Sequence, residues 1–203
     1  MYVLGARELL CGKAATVKQE VDVVLAWKVA LVAATADVAD DYTLWANSES
    51  TRSYLRNDYP LTVDVVREHF EEATASPSAV YFEAFEIESG SRLGFAQLTM
   101  INWTSRNGWL DGFLAPAYVG KRLAIESGEL LLRYAFEELN LHRVQSSVLA
   151  VNAPALAASQ RIGMEVEATL KSAGYIQGQY HDVILLAALR STWRERTDRR
   201  GAQ

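Results

Sequence analysis

Cysteine is almost absent from this chain: Cys11 is the only one among 203 residues. A lone thiol closes no intramolecular disulfide and offers no second thiolate to a metal, and His69, His142 and His181 are not spaced as a ligand set. No metal site is expected, and a reducing cytoplasm suits such a chain. Proline is scarce too, and four prolines with no repeat or low-complexity tract leave nothing that marks an interdomain linker. Long apolar runs are also missing. The most apolar stretch, from Val21 to Ala39, is broken by Asp22, Lys28 and Asp37 before it reaches the ~20 residues a bilayer-spanning helix needs. The N-terminus lacks the ordered basic, apolar and small-residue regions of a signal peptide, so neither a membrane span nor export is expected. Positive charge is not in excess. Twenty Lys and Arg against 25 Asp and Glu give a net charge of −5, which removes any general attraction to nucleic acid or anionic lipid.

What remains reads as one domain over residues 28–193, preceded by an extension at 1–27 and followed by a basic tail at 194–203. Glu195 and Asp198 interrupt the arginines of that tail, which favours a solvated segment over an RNA-docking one. Val29 to Ala33 reads as a strand. Asp37 opens a helical stretch with Val38, Tyr42 and Trp45 on one face, and a polar loop is expected at Asn47-Ser-Glu-Ser-Thr. Thr62 caps a second helix carrying Val63, Val66, His69 and Phe70. Strands follow at Val80 to Ile87 and Leu93 to Trp103, and a tight turn at Arg106-Asn-Gly leads into a third strand that Pro116 ends. The longest periodic segment, Lys121 to Leu139, is a helix with Leu123, Leu130, Leu131, Tyr134 and Ala135 on its apolar face. A strand from Arg143, a short helix from Pro154 to Arg161 and two strands, Val166 to Tyr175 and Val183 to Leu189, complete the order. Such a mixture predicts an α/β (α+β) layer structure, with helices on a largely antiparallel sheet.

The segment from Phe113 to Glu126 carries the most chemical information, because an apolar strand turns through a short loop straight into the long helix. The first turn of a helix presents unpaired N–H groups and the positive end of the macrodipole, which suits a pyrophosphate. On spacing alone an ordinary strand-to-helix connection accounts for it as well.

Further residues extend the pattern. Asp37 stands ahead of Trp45-Ala-Asn, and Tyr134-Ala-Phe-Glu-Glu-Leu-Asn-Leu-His-Arg-Val is followed by Asn152 with Ala155 and by Arg161-Ile-Gly-Met. Gly178-Gln-Tyr-His-Asp and Leu189-Arg-Ser-Thr-Trp close the series. In their order and spacing these residues resemble the GNAT N-acetyltransferases, especially the branch that acetylates ribosomal-protein alanine N-termini, over Val29 to Trp193.

The resemblance implies a GNAT fold in which two parallel strands, here Trp109 to Ala115 and Arg143 to Val151, splay apart to receive the pantetheine arm of acetyl-CoA. It implies that the loop of Val119, Gly120, Lys121, Arg122, Leu123 and Ala124 holds the diphosphate, that Asn152 bonds the pantetheine arm, and that an amide near Leu114 polarises the acyl carbonyl. Asn152 serves equally as a cap for the helix after it. The family loop, Gln/Arg-x-x-Gly-x-Gly/Ala, is met only at Ala124. Val119 and Arg122 depart from it, and Arg122 would either crowd the diphosphate or offer it a charge-assisted contact. Ser159 stands where many members place a tyrosine that protonates the leaving thiolate.

For the base that takes the amine proton, the resemblance points to Glu167, although Ala168 replaces the family glycine after it. Asp111 is the second candidate, since it interrupts an apolar strand. Solvated strand faces would explain both carboxylates as simply. Tyr175, Tyr180 and Asp182 line the acceptor mouth or serve as edge and turn residues. The expected activity is acetyl transfer from acetyl-CoA to a primary amine, either a protein N-terminus or a small amine such as an amino sugar or antibiotic. The alternative is a catalytically weak or inactive module of the same fold that binds acyl-CoA or a protein partner. A homodimer is compatible with either.

Overall fold

The computed structural model describes residues 23–25, 28–55 and 59–193. Cys11, with the other residues of 1–22 and 26–27, and the arginines of the tail beyond Trp193 lie outside the described residues; residues 23–25 of the expected extension form a strand of the sheet. Eight strands form one sheet in the order β1-β2-β3-β4-β5-β6-β8-β7. They are β1 (Val23–Leu25), β2 (Val29–Ala33), β3 (Val80–Glu86), β4 (Arg92–Asn102), β5 (Asn107–Leu114), β6 (Arg143–Leu149), β7 (Glu165–Ile176) and β8 (Gln179–Leu189). Every neighbouring pair is antiparallel except β5 and β6. That exception follows from chain connection. A parallel neighbour requires a crossover, and the long helix between β5 and β6 supplies it.

Alternation along the strands gives the sheet two covered faces. On one face Phe82, Ala84, Ala96, Leu98, Val144 and Val148 pack with the crossover helix α4 (Leu123–Arg133), through Leu130 and Leu131. That helix continues as one π turn, Tyr134–Glu138, which buries Phe136 against Trp193. Gly128 lets α5 (Ala153–Arg161) close on α4, because a Cβ there would stand 3.0 Å from Ile162 Cδ1. On the opposite face, Phe95 and Phe113 meet α1 (Ala39–Ala46) and α3 (Val63–Thr74) through Val38, Tyr42, Val66 and Phe70. Thr62 caps α3, its hydroxyl accepting the Val65 N–H at 3.4 Å.

A buried ion triplet joins α1 to this second face. Glu83, 5% exposed, lies with its Oε2 2.7 Å from Arg92 Nε, and the same guanidinium also meets Asp41 of α1. Burial pushes the Glu83 carboxyl above its ordinary range, against the opposing pull of Arg92 and of the Thr35 amide. Arg92 also lies over the Phe85 ring, at 5.6 Å from its centroid.

Two local expectations change. Residues 47–51 are not a loop: α2 (Glu49–Leu55) starts there. Ser48 precedes it, its carbonyl accepting the Thr51 and Arg52 N–H groups and its hydroxyl reaching Thr51. Ser-x-x-Thr reads as polar loop chemistry, but the same residues cap a helix. The Asn107-Gly108 pair is likewise not the hairpin turn. The reversal runs over residues 103–106, where Arg106 takes φ +51 and Asn102 Oδ1 accepts the Ser105 N–H at 2.8 Å. Asn107 and Gly108 belong to β5 and pair with Arg143 and Val144, a parallel register that outweighs their local turn preference.

Candidate active site

The parallel ladder between β5 and β6 holds for three partner pairs, Asn107↔Arg143, Gly108↔Val144 and Trp109↔Gln145. Beyond Trp109 and Gln145 the strands part, while β5 stays paired with β4 up to Leu114 and β6 stays paired with β8 up to Leu149. A fork therefore opens within the sheet, toward the C-terminal ends of both strands. From that open end leave the loops to α4 and to α5, so two helix N-termini face the same gap.

The loop to α4 is built for close approach to a ligand. Ala115 and Pro116 end β5, a 3-10 turn (Pro116–Tyr118) follows, and Gly120 takes φ +87 with nothing within 4 Å of where a Cβ would stand. Arg122 takes φ +63, so the residue that departs from the family glycine keeps the left-handed backbone glycine would supply. Its side chain and that of Lys121 are exposed, and Lys121 Nζ rests 5.0 Å from the centre of the Tyr118 ring. Two cations and the positive end of a helix meet at the fork's mouth. The left-handed conformation costs an L-residue about 1 kcal/mol. Arg122→Gly is therefore expected to stabilise the fold by about 0.5–1 kcal/mol, less any entropy glycine returns to the unfolded chain. A urea titration showing a loss of stability instead would mean that the arginine side chain holds the loop.

On the other arm, Asn152 Oδ1 accepts the Ala155 N–H at 3.2 Å and caps α5 beside the fork. Ser159 lies half-buried on α5, with its carbonyl accepting the Met164 N–H at 3.0 Å. The capping role of Asn152 is thus observed; its side-chain amide nitrogen faces no partner demand from the cap itself.

Register brings a row of polar side chains to the point where the strands part. Tyr81 pairs with Gln97, and Gln97 with Asp111, so the three lie across β3, β4 and β5 at one level. Trp109 pairs with Gln145 at the last closed level, which places Asp111 and Ser147 two residues on, past the end of the ladder and on the same faces of their strands as Trp109 and Gln145. Asp111 is exposed, and its Oδ1 accepts the Gly112 N–H at 2.7 Å. Above this row stands Tyr42 of α1, its ring edge-on to Phe70, Phe95 and Phe113 at 5.3, 5.0 and 5.3 Å. Burial, then the Asp111 charge, then Tyr81 push the Tyr42 hydroxyl up to about 12, so it stays protonated.

Glu167 lies elsewhere. It occupies the irregular step between Val166 and Ala168 on β7, two strands from the fork, and both its oxygens take hydrogen bonds from the Arg143 guanidinium, one at 2.7 Å. The hydrogen bond from Arg143 holds its carboxyl below the usual range, the opposite of what a base requires. Tyr175 and Tyr180 stack at 5.0 Å at the tip of the β7–β8 hairpin. The Asp182 carboxylate accepts from Lys171 at 2.8 Å and from the Ser172 N–H at 2.9 Å, and these bonds hold it low. Among the described residues no three of His, Cys, Asp and Glu are grouped to hold a metal, and no helix is long and apolar enough to cross a membrane. The placement of Tyr42, Tyr81 and Gln97 beside Asp111 is not legible by pattern: each occupies a position its element would fill with any packing or solvated side chain.

The chain is similar to known proteins in sequence and in fold. The family model for an acetyltransferase (GNAT) domain matches residues 28–165. The putative ribosomal N-acetyltransferase YdaF of Bacillus subtilis is 29% identical over 111 residues, 55% of this chain and 61% of that protein. Spermidine N(1)-acetyltransferase of Escherichia coli K12 is 32% identical over 95 residues, 47% of this chain and 51% of the relative. The aligned part thus spans between about half and three-fifths of these two relatives. Among solved structures, spermidine N-acetyltransferase of Vibrio cholerae in complex with CoA and spermine superposes with TM-score 0.77 at 23% identity, covering 82% of this chain and 98% of the other. RimL, a ribosomal alpha-N-protein acetyltransferase in complex with coenzyme A, does so with TM-score 0.75 at 17% identity, covering 83% and 98%. At these identities the likeness is one of fold.

Proposed function

Because this chain belongs to the GNAT acetyltransferase family, we propose that it transfers the acetyl group of acetyl-CoA to a primary amine at the fork between β5 and β6. The observation that carries this reading is the parallel ladder that stops after three pairs and opens onto the Gly120–Arg122 turn. The residues fit the carrier's chemistry: open strand edges for an amide-bearing arm, and helix-start amides with Lys121 and Arg122 for its phosphates. Bound there, acetyl-CoA supplies an acyl carbon activated as a thioester. Leu114 and the loop from Val119 to Ala124 hold and orient it, with Asn152 on the other arm. Asp111, two residues past the last closed pair, takes the amine proton, and the Ser159 hydroxyl assists the departing thiolate without being required. In this reading the base is Asp111 rather than Glu167, whose oxygens Arg143 already engages. The acceptor classes named for the relatives, spermidine and ribosomal protein, are the first to try.

Calorimetric titration with acetyl-CoA, followed by thiol-release assays with spermidine, an amino sugar and a peptide bearing a free N-terminus, tests the proposal. Micromolar binding and amine-dependent thiol release are expected. Binding with no release from any amine would support the non-catalytic module instead, and no binding at millimolar carrier would overturn the transferase and any acyl-CoA-binding module, leaving only the module that binds a protein partner.

A further inference from the structure

We propose that Tyr42 and Asp111 form a two-point seat for the acceptor nitrogen, and that the Tyr42 hydroxyl makes the site select primary over secondary amines. The inference rests on the acetyl-transfer reading, and it concerns residues on two elements far apart in sequence. Tyr42 comes from α1 and Asp111 from β5, yet the Tyr42 ring lies 5.3 Å from that of Phe113, two residues along β5 on the same face as Asp111. The Asp111 charge is felt at the Tyr42 hydroxyl, as is the Tyr81 hydroxyl at the next strand but one.

The seat is rigid where it must be. Three rings, Phe70, Phe95 and Phe113, enclose the Tyr42 ring edge-on, so its hydroxyl is held in one direction at little entropic cost. Asp41, the residue before Tyr42, is tied to the sheet through Arg92 and Glu83, which fixes the height of α1 above the strands. Charged and titratable groups facing Tyr42 are therefore Asp111 from β5 and Tyr81 from β3, with the Asp41–Arg92–Glu83 triplet one level away and His69 of α3 against Tyr81 at 6.1 Å.

Geometry of the nitrogen then sets the selectivity. For attack, the lone pair must point into the fork toward the acyl carbon, leaving two N–H bonds on a neutral primary amine. One is accepted by the Asp111 carboxylate, the other by the Tyr42 phenol oxygen, which both donates and accepts. As the new C–N bond forms and the C–S bond breaks, the nitrogen's surplus proton passes to Asp111 and the sulfur leaves as the thiolate, which takes a proton from water with the help of the Ser159 hydroxyl; Asp111 then returns its proton to solvent. A secondary amine has one N–H fewer and would leave the half-buried Tyr42 oxygen without that donor, a loss that specificity commonly exploits.

The test compares wild type with Tyr42→Phe, which keeps the packed ring and removes only the hydroxyl. Butylamine and N-methylbutylamine serve as probes of equal chain. For the variant, KM for butylamine is expected to rise about tenfold with KM for acetyl-CoA unchanged, and the primary-to-secondary ratio of kcat/KM to fall about tenfold, the scale of one lost hydrogen bond. With Asp111→Asn, the double variant should cost less than the sum of the single ones, because both groups grip one nitrogen. Unchanged KM and an unchanged ratio in a folded Tyr42→Phe protein would reduce Tyr42 to packing and overturn the seat. Calorimetry of butylamine binding separates this from the transfer reading. Binding that weakens in Tyr42→Phe while wild type transfers no acetyl group would sink the transferase and leave the seat standing. No butylamine binding to wild type would sink the seat whatever the transfer assay shows.

Discussion

Asp111→Asn is expected to lower kcat by at least about a hundredfold while leaving acetyl-CoA affinity within a few-fold, the range in which a lost general base usually falls. Asp111 stands two residues past the last closed pair of the fork, on the face that Tyr42 covers, so in the proposed reading a proton leaving an amine held there meets its carboxylate first. Asparagine preserves the shape and can still accept the Gly112 N–H, which makes structural loss an unsuitable explanation for a fall in rate. Glu167→Gln is the matched control. Its carboxylate is exposed and paired with Arg143, which holds it below the usual range and occupies both its oxygens. Less than a tenfold loss is expected there. A pH–rate profile decides between the two: the acidic limb should vanish in Asp111→Asn and persist in Glu167→Gln. The reverse pattern would return the base to β7.

Arg92→Met should destabilise the fold by about 3–5 kcal/mol at neutral pH, because it leaves the Glu83 carboxylate buried without its cation. The sign of its pH dependence follows from Glu83. Burial raises its folded-state pKa above the unfolded value, so the native state binds that proton more tightly. The associated stabilisation is complete below the unfolded pKa and is lost as pH rises through the folded one. Arg92 opposes this shift in the wild type; without it the folded pKa climbs further, and the deficit of the variant grows between acidic and neutral pH. Urea denaturation across that range should show Arg92→Met approaching wild type on acidification. Adding Glu83→Leu should recover much of the loss, since apolar replacement of a buried pair is often neutral. A deficit below 1 kcal/mol, or one independent of pH, would contradict a dry site for Glu83.

Residues whose role is local were legible from their neighbours alone. Thr62 caps α3, Asn152 caps α5 and Pro116 ends β5, each because the demand it meets lies within three residues along the chain. Periodicity likewise located α4, whose buried Leu123, Leu130 and Leu131 recur on one face. The same local logic misled at residues 47–51 and at Asn107-Gly108, where turn-forming residues were recruited to a helix start and to a parallel ladder.

The fork itself, as a pair of splayed strands, came from resemblance, and so did the loop that opens α4. The left-handed backbone of Arg122 did not, because φ is set by the direction in which the loop must enter the helix rather than by the side chain it carries. Nor could spacing align Tyr81, Gln97 and Asp111, or join Arg143 to Glu167 across 24 residues. Register depends on every pairing in the sheet together, and the irregular step between Thr99 and Asn102 moves it by whole residues. Composition, caps and hydrophobic period are properties of short segments and were determined by the sequence itself. Which carboxylate reaches the fork, and which is locked away beside an arginine, was decided only when β3 through β8 took their places side by side.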